Sequence, residues 1–493
     1  MTLAIRDRQV VPGARMTVAE PRRKREEWRF ALVALLISIP CLWQEHIQSV
    51  DLSSHLYNAW VVNEVNAGHL PGLHVATQFT NVLFDVALSS LLKLTGGVAW
   101  TERIAVVAAV QIFFWGCFVF VSAAANSRAW QMAPVLAMLA YGAVFRIGFF
   151  NFYISTGLCL IAMALVWNGA RPRLAVFLLL SACTAHFLPC IWATCAISYM
   201  WLMRRVSARR QIMLPGISAV AILAISGCLT LFVPALLPAG VRVDSLVGVD
   251  QLLMWGAKYR VVAAACFCCY VLLLICRFEL DSPFRDVIFQ LWVLSAIACL
   301  ALPDAVWLPF YASGLSYVTI RLSLLCGILL CAVIAKAPTP KVVQLTLAIA
   351  AGIFFGLSYR DEGALNRVED RMQKAVAALP AGTRVIAAVR DPHLFVQGLE
   401  HMIDRPCIGR CFDYGNYEAS TSQFRLRADA GNSYVVSNNG DIGALEHGRL
   451  VFSRKDLTVY RVFECGAKFC ASPLSPGEPV GTQELDSLGW RKD

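Results

Sequence analysis

Eleven long apolar runs, separated by short polar connections, fill the chain from residue 30 to residue 358. Hydrophobic residues make up 58% of the 493 residues and charged residues only 15%, whereas a soluble domain has roughly 25% charged residues. This composition also excludes a disordered or collagen-like chain. The sequence therefore predicts an all-α polytopic membrane protein with about eleven transmembrane helices. The runs cover residues 30–43, 104–125, 130–147, 150–169, 174–188, 190–202, 211–237, 259–276, 286–302, 315–335 and 342–358.

Basic residues divide unevenly between the two sets of connections that alternate along these runs. One set of five connections holds eleven Lys and Arg residues, and the opposite set holds six in a much longer total length. Because cytoplasmic loops carry an excess of Lys and Arg, we expect the first set and the basic N-terminus to face the cytoplasm. The net charge of +10 then indicates topology rather than nucleic-acid binding.

Segment 79–95 is ambiguous, because it is apolar but contains Asp85 and Lys93. If it crossed the membrane, all later loops would change sides and the basic segment Met203–Arg210 would face outward, against the positive-inside rule. We therefore predict that this segment does not cross, and that residues 45–102 form one large outer loop.

This topology divides the chain into three parts. Residues 1–29 form a basic cytoplasmic tail, and residues 30–358 form the transmembrane domain. Charged residues become frequent after that point, so residues 359–493 are predicted to form a small α/β domain outside the cytoplasm. Two amphipathic helices at the membrane interface are expected within the outer loop, at 57–66 and 79–94.

Most of the 18 cysteines lie in apolar runs, where they behave as small hydrophobic residues. The C-terminal part contains four, at Cys407, Cys411, Cys465 and Cys470. An even number in an oxidising compartment favours two disulfides, most simply between neighbours in the sequence, although spacing does not fix connectivity. Four unpaired cysteines or a zinc site are the alternatives.

The first outer loop opens with acidic and imidazole side chains. Asp51 and His55 are four residues apart, so on a helix they share one face. A carboxylate at a membrane surface can stay ionised and act as a general base. The alternative is an ordinary polar loop, which would also contain Asp and His.

Four further side chains are candidates for binding an anionic substrate. Arg321 lies seven residues inside the tenth apolar run, and an arginine at such a position indicates a functional site. Arg103 and Arg146 lie at outer helix ends, and His186 lies at the outer end of the fifth run. The alternatives are snorkelling or ion pairing for Arg321, interfacial anchoring for the other two arginines, and a hydrogen-bonded core position for the histidine.

A cytoplasmic N-terminus, one span and a long outer loop with an early acidic residue resemble the GT-C glycosyltransferases, which use polyprenyl-phosphate sugars. Protein O-mannosyltransferases and aminoarabinose transferases belong to this superfamily. Asp51 matches the family's catalytic carboxylate, and the helices at 57–66 and 79–94 match its interfacial helices. The segment Arg146–Phe152 (RIGFFNF) is similar to a Gly-Phe-x-Asn-Phe segment of bacterial proteins of this kind.

The resemblance implies an inverting glycosyltransferase that moves a sugar from a polyprenyl-phosphate carrier to a lipid or glycan acceptor. It implies a multi-pass protein of the bacterial inner membrane, with its active site and C-terminal domain on the periplasmic side. Many members have paired acidic residues where Asp51 is followed by Leu52, so use of a divalent metal stays open. Glu45, Glu64 and Glu102 are the candidates for a second acid. The implied site comprises Asp51 and His55 for catalysis, and Arg321, Arg103, Arg146, His186 and Asn151 for substrate binding.

Two other classes of function fit the same composition. A transporter or flippase for a lipid-linked glycan would have inverted repeats and helices broken near the midplane. A non-catalytic scaffold for envelope assembly would not need Asp51 or Arg321. No nucleotide-binding loop or metalloprotease motif lies in a suitable context in the sequence.

Overall fold

The computed structural model is mostly helical, with a small strand-containing region near the C-terminus. Residues 1–19 of the basic tail predicted at 1–29 lie outside the described residues. The first helix begins at Glu20. The structure describes residues 20–238, 243–280, 283–307, 314–421, 423–436, 439–446 and 448–489.

Fifteen helices occupy most of the described chain as far as residue 377. They are α1 Glu20–Ser38, α2 Val50–Asn66, α3 Leu83–Thr95, α4 Val98–Ala125, α5 Ala133–Leu139, α6 Ala143–Ile147, α7 Phe150–Trp167, α8 Pro172–Ala185, α9 Phe187–Met203, α10 Ala208–Phe232, α11 Val243–Val247, α12 Arg260–Leu280, α13 Val287–Ala301, α14 Val318–Ile334 and α15 Lys341–Ala377.

Six segments of the described chain are long and apolar enough to cross a membrane. They are α4, the broken segment Trp130–Ile147 that contains α5 and α6, α7, α10, α12 and α15. The other predicted runs correspond to α1 and to four shorter apolar helices, α8, α9, α13 and α14. Large apolar side chains on α10, including Ile217, Val220 and Leu223, are exposed on the protein surface. Such a surface requires a lipid environment, so the chain is a membrane protein.

The connections between these helices gather at two opposite ends of the bundle. At one end, Lys336 contacts the Asp286 carboxylate at 2.6 Å and lies 5.8 Å from the ring of Trp167. The carbonyl of Trp167 accepts a hydrogen bond from Arg204 at 2.7 Å. The connections near residues 168, 204, 286 and 336 therefore share this end. The opposite end, where α2, α3 and residues 359–489 lie, is called the tail end below.

The first loop begins with α2, which starts at Val50 rather than at the predicted residue 57. Leu52, Leu56 and Tyr57 are buried, so this helix is a core element and not the surface-lying amphipathic helix that was predicted. Apolar side chains surround it because the C-terminal region packs on the face that would otherwise meet the headgroups.

The second loop helix, α3, stays at the tail end throughout its 13 residues. Just before it, the amide of Val82 donates to the carbonyl of Thr184. At its other end, Thr95 and Thr101 share a hydroxyl hydrogen bond of 2.9 Å at the start of α4. That segment 79–95 does not cross stays a prediction, which the position of both ends of α3 at the tail end supports.

Helix α15 runs through the boundary predicted at residue 358 without a break. Its 37 residues have a length of about 55 Å. An apolar stripe continues on it beyond residue 362, where Val368, Met372 and Val376 are buried. One continuous helix therefore joins the apolar bundle to the C-terminal region.

The C-terminal region (residues 378–489) contains a four-stranded sheet and three short helices. The sheet has the order β6-β4-β8-β9, with β4 parallel to both of its neighbours and β8 antiparallel to β9. The helices are α16 Asp404–Cys407, α17 Tyr417–Thr421 and α18 Asn439–Glu446. The strands of the described residues are β1 Leu73–Val75, β2 Ala235–Leu236, β3 Ala305–Val306, β4 Thr383–Ile386, β5 Val389–Arg390, β6 Cys411–Asp413, β7 Leu426–Ala428, β8 Val459–Cys465, β9 Lys468–Pro473 and β10 Gln483–Glu484.

This region packs directly onto the bundle. Strand β7 pairs with β1 of the first loop, and the rings of Trp60 and Phe412 stack with centroids 5.8 Å apart. The buried guanidinium of Arg405 contacts Glu369 at 2.6 Å and Glu102 at 3.4 Å. One hydrophobic core extends from Ile37 to Leu485 and includes both parts.

The four cysteines of the C-terminal region form two disulfides. Cys407 is bonded to Cys411, and Cys465 is bonded to Cys470. The first bond connects α16 to β6, and the second closes the turn between β8 and β9. The predicted pairing is thus confirmed, and neither the zinc site nor four free thiols is present.

Candidate active site

A cavity of about 670 Å³ lies at the tail end, between the bundle and the C-terminal region. It is called the central cavity below. Its walls come from the start of α2, the α6–α7 junction, the α8–α9 turn, the start of α14 and three segments of the C-terminal region. Five of the seven predicted site residues line it: Asp51, His55, Asn151, His186 and Arg321.

Asp51 lies in the first turn of α2 and faces the central cavity. Helix α2 begins here because Ser49 has an extended backbone and its hydroxyl donates to the Phe145 carbonyl at 2.8 Å. Burial raises the pKa of Asp51 to about 6, and the charges of His55 and Arg321 oppose that rise. A carboxyl with this pKa is ionised at neutral pH and still accepts a proton readily.

His55 lies one turn after Asp51 and bonds to the first of two nearby carboxylates. Its Nδ1 is 2.7 Å from Oδ1 of Asp85 and 3.7 Å from Oε1 of Glu418. Burial is the largest single influence and lowers the pKa of His55, but the charge and hydrogen bond of Asp85, with the charges of Glu418 and Asp51, together raise it to about 9. His55 is therefore a cation at neutral pH, with Nδ1–H donated to Asp85 and Nε2–H left for another acceptor.

Arg321 brings a second positive charge to the cavity, in the first turns of α14. Its guanidinium carbon lies 4.0 Å from the ring centroid of Phe149 and 5.7 Å from that of Phe152. Stacking on two aromatic rings holds the guanidinium plane in place. The N-terminal end of α14 adds to the positive potential at the same place.

His186 lies in the single-residue turn between α8 and α9. Its Nδ1 accepts a hydrogen bond of 3.2 Å from the amide of Leu188, so the proton of the neutral ring is on Nε2. Its ring lies beside those of Phe152 and Phe187, each 5.7 Å away. His186 is thus both a helix cap, as the structural alternative predicted, and part of the cavity wall.

The RIGFFNF segment builds much of this wall. Gly148 has φ +105°, and a Cβ atom there would lie 2.8 Å from Cβ of Asp51, so only glycine lets the two backbones approach. Asn151 donates from Nδ2 to Asp85 at 3.0 Å and accepts the amide of Phe84 at 2.8 Å. Asn151 therefore positions the Asp85 carboxylate, which keeps His55 protonated.

Two predicted phosphate ligands lie outside the central cavity. Arg146 is buried, and its guanidinium donates to the Gln48 carbonyl at 2.9 Å, to Ser358 at 2.6 Å and to Glu362 at 2.5 Å. These bonds engage both terminal nitrogens, while Nε is buried without a partner, so Arg146 joins α6 to α15 and does not face the central cavity. Arg103 is partly exposed and approaches only the backbone carbonyls that follow α1.

The candidates for a second acid were wrong. Glu64 bonds to His69 at the loop surface, and Glu102 accepts the amide of Ile47 and pairs with Arg405. Glu45 is exposed, and none of the three lines the central cavity. The acids near Asp51 instead come from α3 and from the C-terminal region. Asp85 stood out in the sequence as a charge in an apolar segment, but Glu418 gave no local signal.

The C-terminal region also places His401 and Tyr417 against Asp51. Nε2 of His401 is 3.9 Å from Oδ1 of Asp51, and the His401 and Tyr417 rings have centroids 4.8 Å apart. Burial lowers the pKa of His401 to about 4, with a further contribution from the charge of His55. His401 is thus a neutral imidazole at pH 7 beside the ionised carboxylate.

Asp250 is a further acid in the cavity wall, on the loop after α11. Its carboxylate accepts a hydrogen bond from Ser323 of α14, and burial raises its pKa to about 6. Within the described residues, no group of three or more His, Cys, Asp or Glu side chains is arranged to hold a metal ion.

A scan of protein-family models and searches of curated proteins and of solved structures found no match to this chain.

Proposed function

We propose that this protein is a membrane glycosyltransferase of the GT-C type. It transfers a sugar from a polyprenyl-phosphate carrier to an acceptor hydroxyl at the tail end of the bundle. The observation that carries the proposal is the central cavity, where one carboxylate, Asp51, faces two fixed cations, His55 and Arg321. A base beside two cations fits a reaction in which a hydroxyl loses a proton and a phosphate leaves.

The proposed step is a single displacement at the anomeric carbon, which inverts its configuration. The acceptor oxygen forms a bond to that carbon while the bond between the carbon and the phosphate oxygen breaks. The lipid phosphate leaves with the bonding electrons, and the hydroxyl proton passes to Asp51. A positioned general base contributes roughly 10²–10⁴-fold to such a step.

The leaving phosphate gains negative charge, which His55 and Arg321 would stabilise. The planar guanidinium of Arg321 can donate two parallel hydrogen bonds to phosphate oxygens, and stacking on Phe149 fixes its orientation. His55 would donate its Nε2–H, because Asp85 already accepts its Nδ1–H. Cations fixed before the reaction lower the barrier without reorganisation.

The proposed topology has eleven spans: the six long segments, α1 and the four shorter apolar helices. The basic residues at the end opposite the tail end then face the cytoplasm. The central cavity and the C-terminal region face the periplasmic side of a bacterial inner membrane. The two disulfides support this orientation, because such bonds persist in an oxidising compartment.

The test measures release of undecaprenyl phosphate from its glucose, galactose, mannose and arabinose esters by the protein in lipid nanodiscs. Asp51→Asn keeps the shape and removes the base, so turnover should fall at least about 10²-fold. Arg321→Lys keeps the charge but loses the planar guanidinium that can donate two parallel hydrogen bonds. It should therefore raise KM and lower kcat together.

Two matched variants control for the chemical changes themselves. Asp456→Asn alters an exposed carboxylate far from the central cavity. Arg205→Lys alters an arginine stacked on Trp201 at 4.3 Å at the opposite end of the bundle. Both should keep wild-type rates. A folded Asp51→Asn protein with normal turnover would reject the proposed base and the glycosyltransferase with it.

A further inference from the structure

A second cavity of about 460 Å³ adjoins the central cavity and is called the tail cleft below. All of its lining residues lie between residues 387 and 482, so no candidate membrane span contributes to it. Four side chains line both cavities and form the partition between them: Gln397, Glu400, His401 and Tyr417. The tail cleft is therefore reached from the aqueous side and ends beside the reacting groups.

We propose that the tail cleft binds the acceptor, and that this acceptor is a neutral, water-soluble saccharide. The assignment rests on the proposed glycosyltransferase function and names the class of its second substrate. An acceptor hydroxyl that passes the partition at His401 arrives at Asp51, whose carboxylate lies 3.9 Å from the His401 ring. There it loses its proton and forms the new bond, as the lipid phosphate leaves on the other side.

Two unsatisfied polar atoms indicate that the tail cleft holds a hydrogen-bonding ligand. Within the described residues, Oε1 of Gln397 and Oγ1 of Thr482 are buried and have no hydrogen-bond partner in the protein. Buried polar groups without a partner are costly, because each has lost its hydrogen bonds to water. Both residues line the tail cleft, one at the partition and one on the loop before β10. A ligand with several hydroxyl groups would give each atom a donor once its side chain rotated toward the tail cleft.

The rest of the lining fits a sugar rather than an acyl chain. The paired rings of His401 and Tyr417 offer an aromatic face, and Ile442 and Leu445 offer apolar contacts. A pyranose ring presents apolar C–H faces and polar edges, so it needs both kinds of wall. The volume lies within the range of about 300–1,000 Å³ that is typical of small-molecule sites.

The charges of the tail cleft select against acidic sugars. Glu400 and Asp413 contribute two carboxyl groups. The lining arginine, Arg390, is paired with Glu484 across the two short strands β5 and β10. A uronic acid would therefore meet carboxylates without a free cation in the lining, which costs affinity through like-charge repulsion.

The first experiment measures binding to the full-length protein in nanodiscs by saturation-transfer NMR. The probes are maltotriose, cellotriose, mannotriose and xylotriose, with trigalacturonic acid as the acidic comparison. At least one neutral trisaccharide should bind, and the acidic one should not. Absence of binding by all four neutral probes would overturn the proposal.

Three variants locate the binding. Ala387→Trp fills the tail cleft and should weaken trisaccharide binding at least tenfold, whereas Ala467→Trp, in the exposed turn after β8, should leave it unchanged. Thr482→Val keeps the shape and removes one hydroxyl, so about fivefold weaker binding is expected. If the Ala387→Trp protein does not fold, the Thr482→Val protein is used to test the site. Equal binding by Thr482→Val and wild-type protein would overturn the assignment.

A turnover experiment separates failure of the tail cleft from failure of the proposed function. Ala387→Trp should lose transfer to the saccharide and keep release of undecaprenyl phosphate to water, whereas Asp51→Asn should lose both. If Ala387→Trp transfers sugar to a membrane lipid at the wild-type rate, the tail cleft is not the acceptor site but the glycosyltransferase stands. If Asp51→Asn is fully active while Ala387→Trp still abolishes trisaccharide binding, the saccharide site stands without the proposed chemistry.

Discussion

Two ionisable residues of α2, Asp51 and His55, carry opposite charges within one turn of each other. The carboxylate is costly to bury, and its pKa of about 6 reflects that cost. Burial opposes the imidazolium, which is maintained mainly by Asp85, with smaller contributions from Glu418 and Asp51. Each residue thus depends on its surroundings for the protonation state that the proposed reaction needs.

The pH dependence of kcat/KM follows from these two pKa values. Activity should rise as the pH rises through about 6, because Asp51 must lose its proton to act as a base. It should fall as the pH rises through about 9, because His55 then loses its positive charge. Initial rates between pH 4.5 and 10.5 should give this bell-shaped profile. A profile without the acidic limb would contradict the assignment of the base.

Asp85 acts through His55, so Asp85→Asn should change the pH dependence of the donor KM. Without that carboxylate, burial becomes the larger influence and the pKa of His55 falls. The donor should then bind more weakly at pH 8 than at pH 6, by about tenfold, whereas the wild-type KM should change little. Asp429→Asn makes the same change in an exposed pair with His74 and serves as the control. If the donor KM has the same pH dependence in the Asp85→Asn and wild-type proteins, Asp85 does not keep His55 protonated.

At the scale of elements, the junction between α6 and α7 determines where α2 can lie. Gly148 has a positive φ and touches the backbone of Asp51, while Asn151 and Phe149 position Asp85 and Arg321. This segment became a candidate through its resemblance to the GT-C glycosyltransferases. Asp51 became a candidate through its place early in the first outer loop. Their contact joins residues about 100 positions apart, and no local pattern predicts it.

Gly148→Ala tests the importance of this contact. The added Cβ would lie 2.8 Å from Cβ and 2.9 Å from the amide nitrogen of Asp51, so the first turn of α2 must move. Undecaprenyl phosphate release should fall at least tenfold. Gly466→Ala is the matched control, because it also has a positive φ, +71°, but no atom within 4 Å of the added Cβ. That variant incurs only the backbone strain of about 1–2 kcal/mol and should keep its activity.

Apolar periodicity predicted the positions of most helices but not the length of α15. The apolar run ends near residue 358, where charged residues begin, and a boundary was expected there. In the structure these charges are buried in pairs from other elements, Arg146 with Glu362 and Lys258 with Asp361. Partners supplied by distant parts of the chain let the helix continue, and the sequence of α15 alone does not contain them.

At the scale of the whole molecule, the order of the apolar runs predicts which connections share an end of the bundle. It does not predict the central cavity. The central cavity needs walls from the C-terminal region, including His401 and Tyr417, which ordinary spacing rules do not single out. The loop residues Trp255 and Asp304 show the same limit, because their partners come from other segments of the chain. Trp255 is buried against Arg146 and Gly398, and Asp304 binds the amide of Thr319 at the start of α14.

The orientation of the molecule in the membrane is tested by reporter fusions. A phosphatase reporter fused to the C-terminus should be active, because we expect the C-terminal region to lie on the periplasmic side. The same reporter fused after Arg205 should be inactive, since that connection lies at the opposite end and is expected in the cytoplasm. An active reporter at Arg205 and an inactive one at the C-terminus would reverse the topology and place the active site in the cytoplasm.

In the proposed eleven-span topology, the short helices α8 and α13 would create hydrophobic mismatch beside the central cavity. Helix α8 has 14 residues and α13 has 15, which gives lengths of about 21 and 22 Å against a hydrocarbon core of about 30 Å. A bilayer meeting such helices has to become thinner there, and its headgroups move toward the midplane. His186 follows the last residue of α8, and Arg321 lies near the start of α14, which packs against α13. The phosphate of a long-chain lipid would thus descend to the guanidinium while its tail stayed in the leaflet, and thicker bilayers should resist this movement.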